Sequence, residues 1–184
     1  IKEKLTMAKK EWKELFNGKD LTGWKMRHPD REHKWVVHDG ILDNTGRGVD
    51  IITEEDFGDF ELHIEYCVPE DSNSGIYLRG RYEIQILDSL GKEYSYPAEN
   101  GAIYNFKRPD VEASKPAGEW QTVDAKLEGM ILSLTLNGKK IHDNVELKNP
   151  TGGQLFDDNG PTGPLMLQGD HGPVQFRNIR IKEL

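Results

Sequence analysis

Short alternations of apolar and polar residues recur along most of the chain. The clearest run covers residues 60–68 and places five apolar side chains on one face: Phe60, Leu62, Ile64, Tyr66 and Val68. Alternation of this kind predicts a half-buried β-strand. A later alternation ends at Asn137-Gly138, a pair that favours a type I′ hairpin turn. Many short strands separated by frequent turn signals predict two packed antiparallel sheets.

The alternation breaks near the end of the chain. Val174 and Phe176 share one phase, whereas Ile179 and Ile181 share the other. A single extra residue in the strand would return both pairs to the core face. The pattern therefore predicts a β-bulge near Arg177-Asn178.

Three segments lack strand patterning. Residues 1–11 are charged and are interpreted as an N-terminal segment outside the sandwich, either a short helix (roughly Lys2 to Trp12) or disordered. A single sandwich domain would then span residues 12–184. Residues 107–118 and 148–164 are rich in Pro, Gly or Asp and are predicted to be long surface loops. Long loops beside a sheet often form the edge of a binding site.

Polar side chains with chemical potential concentrate in residues 74–89. If Leu78 pairs with Ile84 and Ile76 with Ile86, the apolar residues share one face and Gly80-Arg81-Tyr82 forms the loop. This register places Arg79 opposite Glu83 and Tyr77 opposite Gln85. An arginine, a carboxylate, an amide and a phenol in one patch suit a sugar, although a solvated cross-strand ion pair would have the same pattern.

Composition and charge exclude several function classes. The 184 residues carry 24 Lys and Arg against 32 Asp and Glu, a net charge of −8, which would repel a nucleic-acid backbone. No apolar stretch reaches membrane-spanning length, and the lone cysteine, Cys67, cannot form an internal disulfide. Five histidines share no metal-ligand spacing, so we expect no cofactor: His28, His33, His38, His63 and His142. Calcium is a weaker option, through Asp20 or Asp157-Asp158-Asn159.

Several separate motifs resemble the 3-keto-disaccharide hydrolase family. They lie between residues 12 and 184, in this order: Leu15-Phe-Asn-Gly-Lys-Asp-Leu-Thr-Gly-Trp24, Ser74-Gly-Ile-Tyr-Leu-Arg-Gly80, Tyr82-Glu-Ile-Gln-Ile-Leu-Asp-Ser89, Gly101-Ala-Ile-Tyr104, Gly118-Glu-Trp-Gln121, Leu136-Asn-Gly-Lys139 and Gly163-Pro-Leu-Met-Leu-Gln168. The resemblance implies a concanavalin-like jelly roll, usually in proteins exported to the periplasm or the exterior. It also implies cleavage of glycosides already oxidised at C3 by a separate dehydrogenase.

The resemblance also implies a set of site residues. Catalytic roles would fall to His171, Glu83 and Arg79, and the substrate would be bound by a second group: Tyr77, Gln85, Tyr104 and Gln168. The family's Gln-x-His-Gly motif has one extra residue here, giving Gln168-Gly-Asp-His171-Gly. Either Glu83 or His171 would be the base. Pairing with Arg79 would lower the pKa of Glu83 and favour an orienting role for that residue.

Two other readings remain open. In a retaining glycosidase, Glu83 and Asp88 would be the two carboxyl groups, with Gln85 where related glucanases carry an acid. In a carbohydrate-binding module, the same face would bind a sugar without turnover. The three alternatives make different demands on the site. Elimination needs a base that removes a proton, a retaining glycosidase needs two carboxylates about 5–5.5 Å apart, and a binding module needs affinity alone.

Overall fold

A computed structural model describes residues 10–184 of the chain, and within them all regular secondary structure is β-strand. The larger sheet contains eight strands: β1 (Lys13–Glu14), β3 (Trp35–His38), β4 (Ile41–Asn44), β6 (Phe60–Cys67), β9 (Trp120–Glu128), β10 (Ile131–Leu136), β11 (Lys139–Glu146) and β13 (Val174–Glu183). The smaller sheet contains five: β2 (Trp24–Met26), β5 (Ile51–Thr53), β7 (Asn73–Leu78), β8 (Tyr82–Leu87) and β12 (Met166–Leu167). Every pairing is antiparallel.

The two sheets pack face to face around one apolar cluster. Alternate residues of β6 and β13, such as Ile64 and Phe176, are buried on the inner face of the larger sheet. Ile76 of β7 and Ile84 of β8 are buried in the same cluster from the smaller sheet. The predicted all-β sandwich is therefore confirmed. It forms because apolar residues alternate with polar ones along the strands, which gives each sheet one apolar face to bury.

Local turn and bulge predictions are confirmed. Asn137 and Gly138 both have positive φ, of 50° and 79°, and connect β10 to β11 as a type I′ turn requires. In β13 the register shifts between Arg177 and Arg180, and Asn178 has a φ of 51°. The bulge turns Ile179 and Ile181 toward the core with Val174 and Phe176.

The amino-terminal prediction falls largely outside the described residues. Of the helix expected over residues 2–12, the structure describes only residues 10–12, which have no regular secondary structure. In the part of the chain that is described, no helix could span a membrane.

Candidate functional site

The hairpin formed by β7 and β8 supplies the polar side chains of the site. Tyr77 pairs with Glu83, and Gly75 pairs with Gln85. The predicted register was wrong by two residues, because Ile76 pairs with Ile84 and Leu78 with Tyr82. A shift of two residues leaves every side chain on its predicted face, so Tyr77, Glu83 and Gln85 still share the face opposite the core.

Arg79 lies in the hairpin turn, away from this face, and does not pair with Glu83. It has a positive φ of 51°, and with Gly80 (φ 62°) it begins the turn that leads to Arg81. Its guanidinium donates hydrogen bonds to Gly58 O (2.9 Å), Gly129 O (2.7 Å) and Asp59 Oδ1 (2.9 Å). The side chain therefore joins the turn to two other loops, and the structure does not bring it to the other predicted site residues.

A pocket of about 210 Å³ gathers the remaining predicted residues. Its walls come from β7, β8 and three loops, and its lining consists of Asn73, Tyr77, Glu83, Gln85, Tyr104, Gly152, Gly153, Gln168 and His171. Six of the seven residues implied by the family resemblance thus meet in one cavity. The predicted loop 148–164 contributes Gly152 and Gly153 to the lining, whereas residues 107–118 contribute nothing.

Glu83 is the buried acid of this pocket, with 4 % of its surface exposed. Burial raises the pKa of its carboxyl group to about 8, and the nearby Asp50 and Asp170 add to the rise. The expectation of a lowered pKa was wrong, because it depended on the pairing with Arg79. Gly75 makes the burial possible, since a Cβ at that position would overlap Glu83 Oε1.

Three buried amide oxygens in the pocket lack a hydrogen-bond partner among the described residues. They belong to Asn73, Gln85 and Gln168. The nitrogen of Gln168 donates to Tyr77 Oη at 3.3 Å, which directs that amide into the cavity. Buried polar atoms are nearly always satisfied in folded proteins, so a cluster of unsatisfied ones indicates a place where a hydroxylated ligand binds.

Two tyrosines give the pocket its aromatic surface. Burial and the adjacent Glu83 raise the pKa of Tyr77 well above its ordinary value, so the phenol stays protonated. Tyr104 packs edge-to-face against Tyr96, with ring centroids 6.0 Å apart. Gly153, with a φ of 68°, covers the Tyr77 hydroxyl so closely that a Cβ there would lie 2.6 Å from it.

His171 lies at the exposed rim of the pocket, on the loop after β12. Its side chain is 49 % exposed, and its Nδ1 contacts Asp170 Oδ1. Asp170 lies in the stretch that is one residue longer than the family motif, and the longer loop still brings His171 into the pocket lining. Such contact favours the tautomer with hydrogen on Nδ1, which leaves Nε2 free to accept a proton.

A partly buried ion pair joins two of the three loops that line the pocket. Asp50, 5 % exposed, accepts a hydrogen bond from Gly169 N (2.9 Å) and contacts Arg27 Nη1 (3.0 Å). Arg27 also donates to the carbonyls of Gly153 (2.7 Å) and Gln154 (2.9 Å). Both loops are therefore attached, through the single carboxylate of Asp50, to the residue that immediately precedes β5.

Sequence reasoning missed several of these residues. Asn73 shares the face of Tyr77 by simple alternation along β7, so its position could have been found. Gly152 and Gly153 lie in a loop predicted to form the edge of a site. For Asp50 and Arg27 no local pattern was available, because their partners are distant in sequence.

The carboxyl pair of the glycosidase reading does not form. Asp88 accepts a hydrogen bond from Asp71 N at 3.1 Å and pairs with Lys92 Nζ at 3.2 Å. It lines a separate cavity with Glu70 and Leu90. Glu83 and Asp88 therefore do not face a common substrate.

The oxygens considered for calcium already have protein partners. Asp158 binds Arg81 at 2.6 Å, and Asn159 Oδ1 accepts from Tyr82 at 2.9 Å. Asp20 accepts from Asn17 Nδ2 and Thr22 N. Within residues 10–184, no group of three or more His, Cys, Asp or Glu side chains is arranged to hold a metal ion.

Comparison with known proteins places this chain in a family. A 3-keto-disaccharide hydrolase of Bacteroides thetaiotaomicron is 26 % identical, over 92 % of this chain and 77 % of its own length. The crystal structure of a candidate glycosyl hydrolase from Parabacteroides distasonis aligns with a TM-score of 0.79 and 31 % identity, covering 94 % of this chain and 84 % of the other. A Bacillus licheniformis β-glucanase shares the concanavalin-like fold alone, with a TM-score of 0.59 at 11 % identity over 97 % and 99 % of the two chains. The family model of the 3-keto-alpha-glucoside-1,2-lyase-like domain matches residues 11–182, and the chain belongs to that family.

Proposed function

We propose that the protein cleaves glycosides that carry a ketone at C3 of the sugar, by elimination across C1 and C2 followed by addition of water. One observation carries the proposal: a buried acid, Glu83, and a half-exposed histidine, His171, line the same small pocket. With a pKa near 8, Glu83 holds a proton at neutral pH. His171 contacts Asp170 through Nδ1, so its Nε2 is the nitrogen that faces a substrate proton. A proton donor and a proton acceptor at one sugar-sized site suit elimination. The family match supports the substrate class.

In the first stage, His171 is the base. A C3 ketone acidifies the proton on C2, and His171 Nε2 removes it to give an enolate. The electron pair then forms the C1–C2 double bond as the bond from C1 to the leaving oxygen breaks. Glu83 transfers its proton to that oxygen, so the products are an alcohol and an unsaturated ketone.

In the second stage, the same two groups return to their starting states. Water attacks C1 of the unsaturated ketone and gives a proton to the Glu83 carboxylate. The protonated His171 returns a proton to C2. The sum of both stages is hydrolysis, which accommodates the lyase description of the family and the hydrolase name of the relative.

The remaining pocket residues orient the sugar and stabilise the enolate. The protonated phenol of Tyr77 has one hydrogen bond to donate, and the unsatisfied oxygens of Asn73, Gln85 and Gln168 accept hydrogen bonds from sugar hydroxyls. Donors fixed before the reaction stabilise developing negative charge without reorganisation. Arg79 has no role in this scheme, because its guanidinium is committed to the turn.

The substrate must be made before it reaches this site. A C3 ketone on an intact glycoside arises by oxidation of a secondary alcohol, so the protein would follow a sugar 3-dehydrogenase. No cofactor is needed for either stage. We further propose that the protein works outside the cytoplasm, where oligosaccharides are first encountered.

A paired-substrate assay tests the function. The protein is incubated with a 4-nitrophenyl 3-keto-glucoside and, separately, with the unoxidised 4-nitrophenyl glucoside. We expect release of nitrophenol from the keto compound alone. Release from the plain glucoside would indicate glycosidase chemistry. Binding of both compounds without release from either would indicate a carbohydrate-binding module and would refute the proposal.

A further inference from the structure

A second cavity, of about 410 Å³, adjoins the pocket and is referred to here as the outer cavity. Its lining is contributed by two short segments: Tyr104, Asn105 and Phe106 on one side, and Lys148, Asn149, Pro150 and Thr151 on the other. Tyr104 belongs to both cavities. Thr151 Oγ1 accepts a hydrogen bond from Glu83 N at 2.9 Å, so the outer cavity lies beside the backbone of the residue proposed as proton donor.

The surface of the outer cavity suits a neutral, hydroxylated ring. Phe106 is 42 % exposed although it is a large apolar residue, and Asn105 and Asn149 are exposed amides beside it. The ammonium group of Lys148 contacts Glu146, which neutralises the one cation of the lining. An aromatic face packs against the C–H face of a sugar, and amides bond its hydroxyls.

The turn that carries Phe106 is held in place by its own backbone. The amides of Phe106 and Lys107 both donate to Ile103 O at 3.0 Å, and Asn105 N donates to Pro97 O at 2.7 Å. Ile103 in turn forms a bridge to Ile84 of β8. The backbone that carries the aromatic side chain is therefore fixed relative to β8, as a binding surface requires.

The sizes of the two cavities indicate how a substrate would be divided between them. Ligand sites usually measure about 300–1,000 Å³, and the pocket alone falls below that range. The pocket and the outer cavity together fall within it. A two-ring glycoside would fill both, with its scissile bond at Tyr104.

We infer that the outer cavity binds the leaving group of the substrate, specifically the second sugar ring of a 3-keto-disaccharide. This inference rests on the proposed function and adds to it the place where the leaving sugar binds. The ring packs on Phe106, and its linking oxygen lies between Tyr104 and Glu83. The binding energy of the second ring then contributes to the cleavage of disaccharides but not of glycosides with a small leaving group.

The test compares two substrates in two matched variants. Phe106→Ala should lower kcat/KM for a 3-keto-disaccharide roughly tenfold and leave that for methyl 3-keto-glucoside within about twofold of wild type. Phe156→Ala is the control, because Phe156 is also 42 % exposed and lines neither cavity. It should change neither value. Asn149→Ala provides a second variant with the same expected selectivity.

The outcomes separate this inference from the proposed function. If wild type cleaves neither 3-keto compound, the proposed function and the inference both fail. If wild type cleaves both but Phe106→Ala lowers both values equally, or neither, the inference alone is overturned. A selective loss on the disaccharide, absent from Phe156→Ala, supports it.

Discussion

The hairpin of β7 and β8 contains two groups of buried polar side chains that differ in one respect. At the turn, Arg79 and Arg81 are 2 % and 4 % exposed. A few residues further along β8, Glu83 and Gln85 are 4 % and 3 % exposed. Burial is therefore nearly the same in the turn group and in the pocket group. The two groups differ in whether the protein satisfies their hydrogen bonds.

In the turn group, protein acceptors surround the guanidinium groups. Arg79 donates to Gly58, Asp59 and Gly129, and Arg81 donates to Asp158 and to the carbonyls of Arg79 and Thr162. In the pocket group, the amide oxygen of Gln85 has no partner among the described residues. Within this hairpin, the satisfied polar groups hold the turn in place, whereas the unsatisfied oxygen of Gln85 lines the pocket, where a ligand would satisfy it.

The largest expected effect comes from the pocket group, in Glu83→Gln. Loss of the proton donor should reduce cleavage of a 3-keto-disaccharide by about 10²–10⁴-fold. The loss should be much smaller with nitrophenol, a leaving group that departs without protonation. Wild-type kcat on the disaccharide should fall as pH rises through about 8, where Glu83 loses its proton. Steady-state kinetics over a pH series measures both the variant's loss and the pH dependence of wild type. An equal loss of rate on the disaccharide and on the nitrophenyl glycoside would contradict the role of Glu83 as proton donor.

The same variant should be at least as stable as wild type. The folded pKa of Glu83 is raised above its ordinary value of 4.5 to about 8. The protonated form therefore stabilises the fold at low pH, and this contribution is lost as pH rises between those values. Glu83→Gln removes this dependence of stability on pH. The unfolding free energy of the variant should therefore exceed that of wild type by an amount that grows from pH 5 to pH 8. Denaturant titrations at both pH values would show it.

A smaller effect, on stability instead of chemistry, is expected in the turn group. Arg79→Met leaves the carbonyls of Gly58 and Gly129 without a donor and should lower the free energy of unfolding by about 2–4 kcal/mol. Activity per folded molecule should remain close to wild type. Lys140→Met, which removes an exposed pair with Asp143, is the control and should cost less than about 0.5 kcal/mol. A catalytic defect in folded Arg79→Met would break the comparison.

The smallest effects compare two buried glutamines. Gln85→Leu removes an unsatisfied amide and should raise KM about tenfold with little change in stability. Gln121 is equally buried, but its oxygen accepts from Asn100, Lys115 and Asn137. Gln121→Leu should therefore cost about 1–3 kcal/mol of stability and leave KM unchanged in the folded protein. If both variants lost stability equally, the distinction between the two groups would not hold.

These differences also explain what the sequence could reveal. Face assignments in β6, β7 and β8 follow from period-two alternation and were predicted correctly. Register did not follow, because a shift of two residues preserves every face. The predicted register left Gly80-Arg81-Tyr82 as the loop, whereas Leu78 pairs with Tyr82 and the turn begins at Arg79, a non-glycine residue with positive φ.

Long-range contacts limit prediction of the site itself. Arg79 is positioned by Gly58 and Gly129, which are far from it in sequence, so no local pattern could exclude it from the site. The pKa of Glu83 depends on burial by loops that the strand pattern does not describe. His171 entered the prediction through motif resemblance, since an exposed loop histidine has no periodic signal.

The central claim is that His171 removes the C2 proton and that Glu83 acts afterwards on the leaving oxygen. It is tested most directly by C2 proton exchange in 3-keto-1,5-anhydroglucitol, which has no exocyclic leaving group at C1, followed by NMR in deuterated water. Wild type and Glu83→Gln should both catalyse exchange, with rates within a few-fold of each other. His171→Ala should lose about 10²–10⁴-fold of that rate. Full exchange by His171→Ala together with loss of exchange in Glu83→Gln would contradict the account and make Glu83 the base.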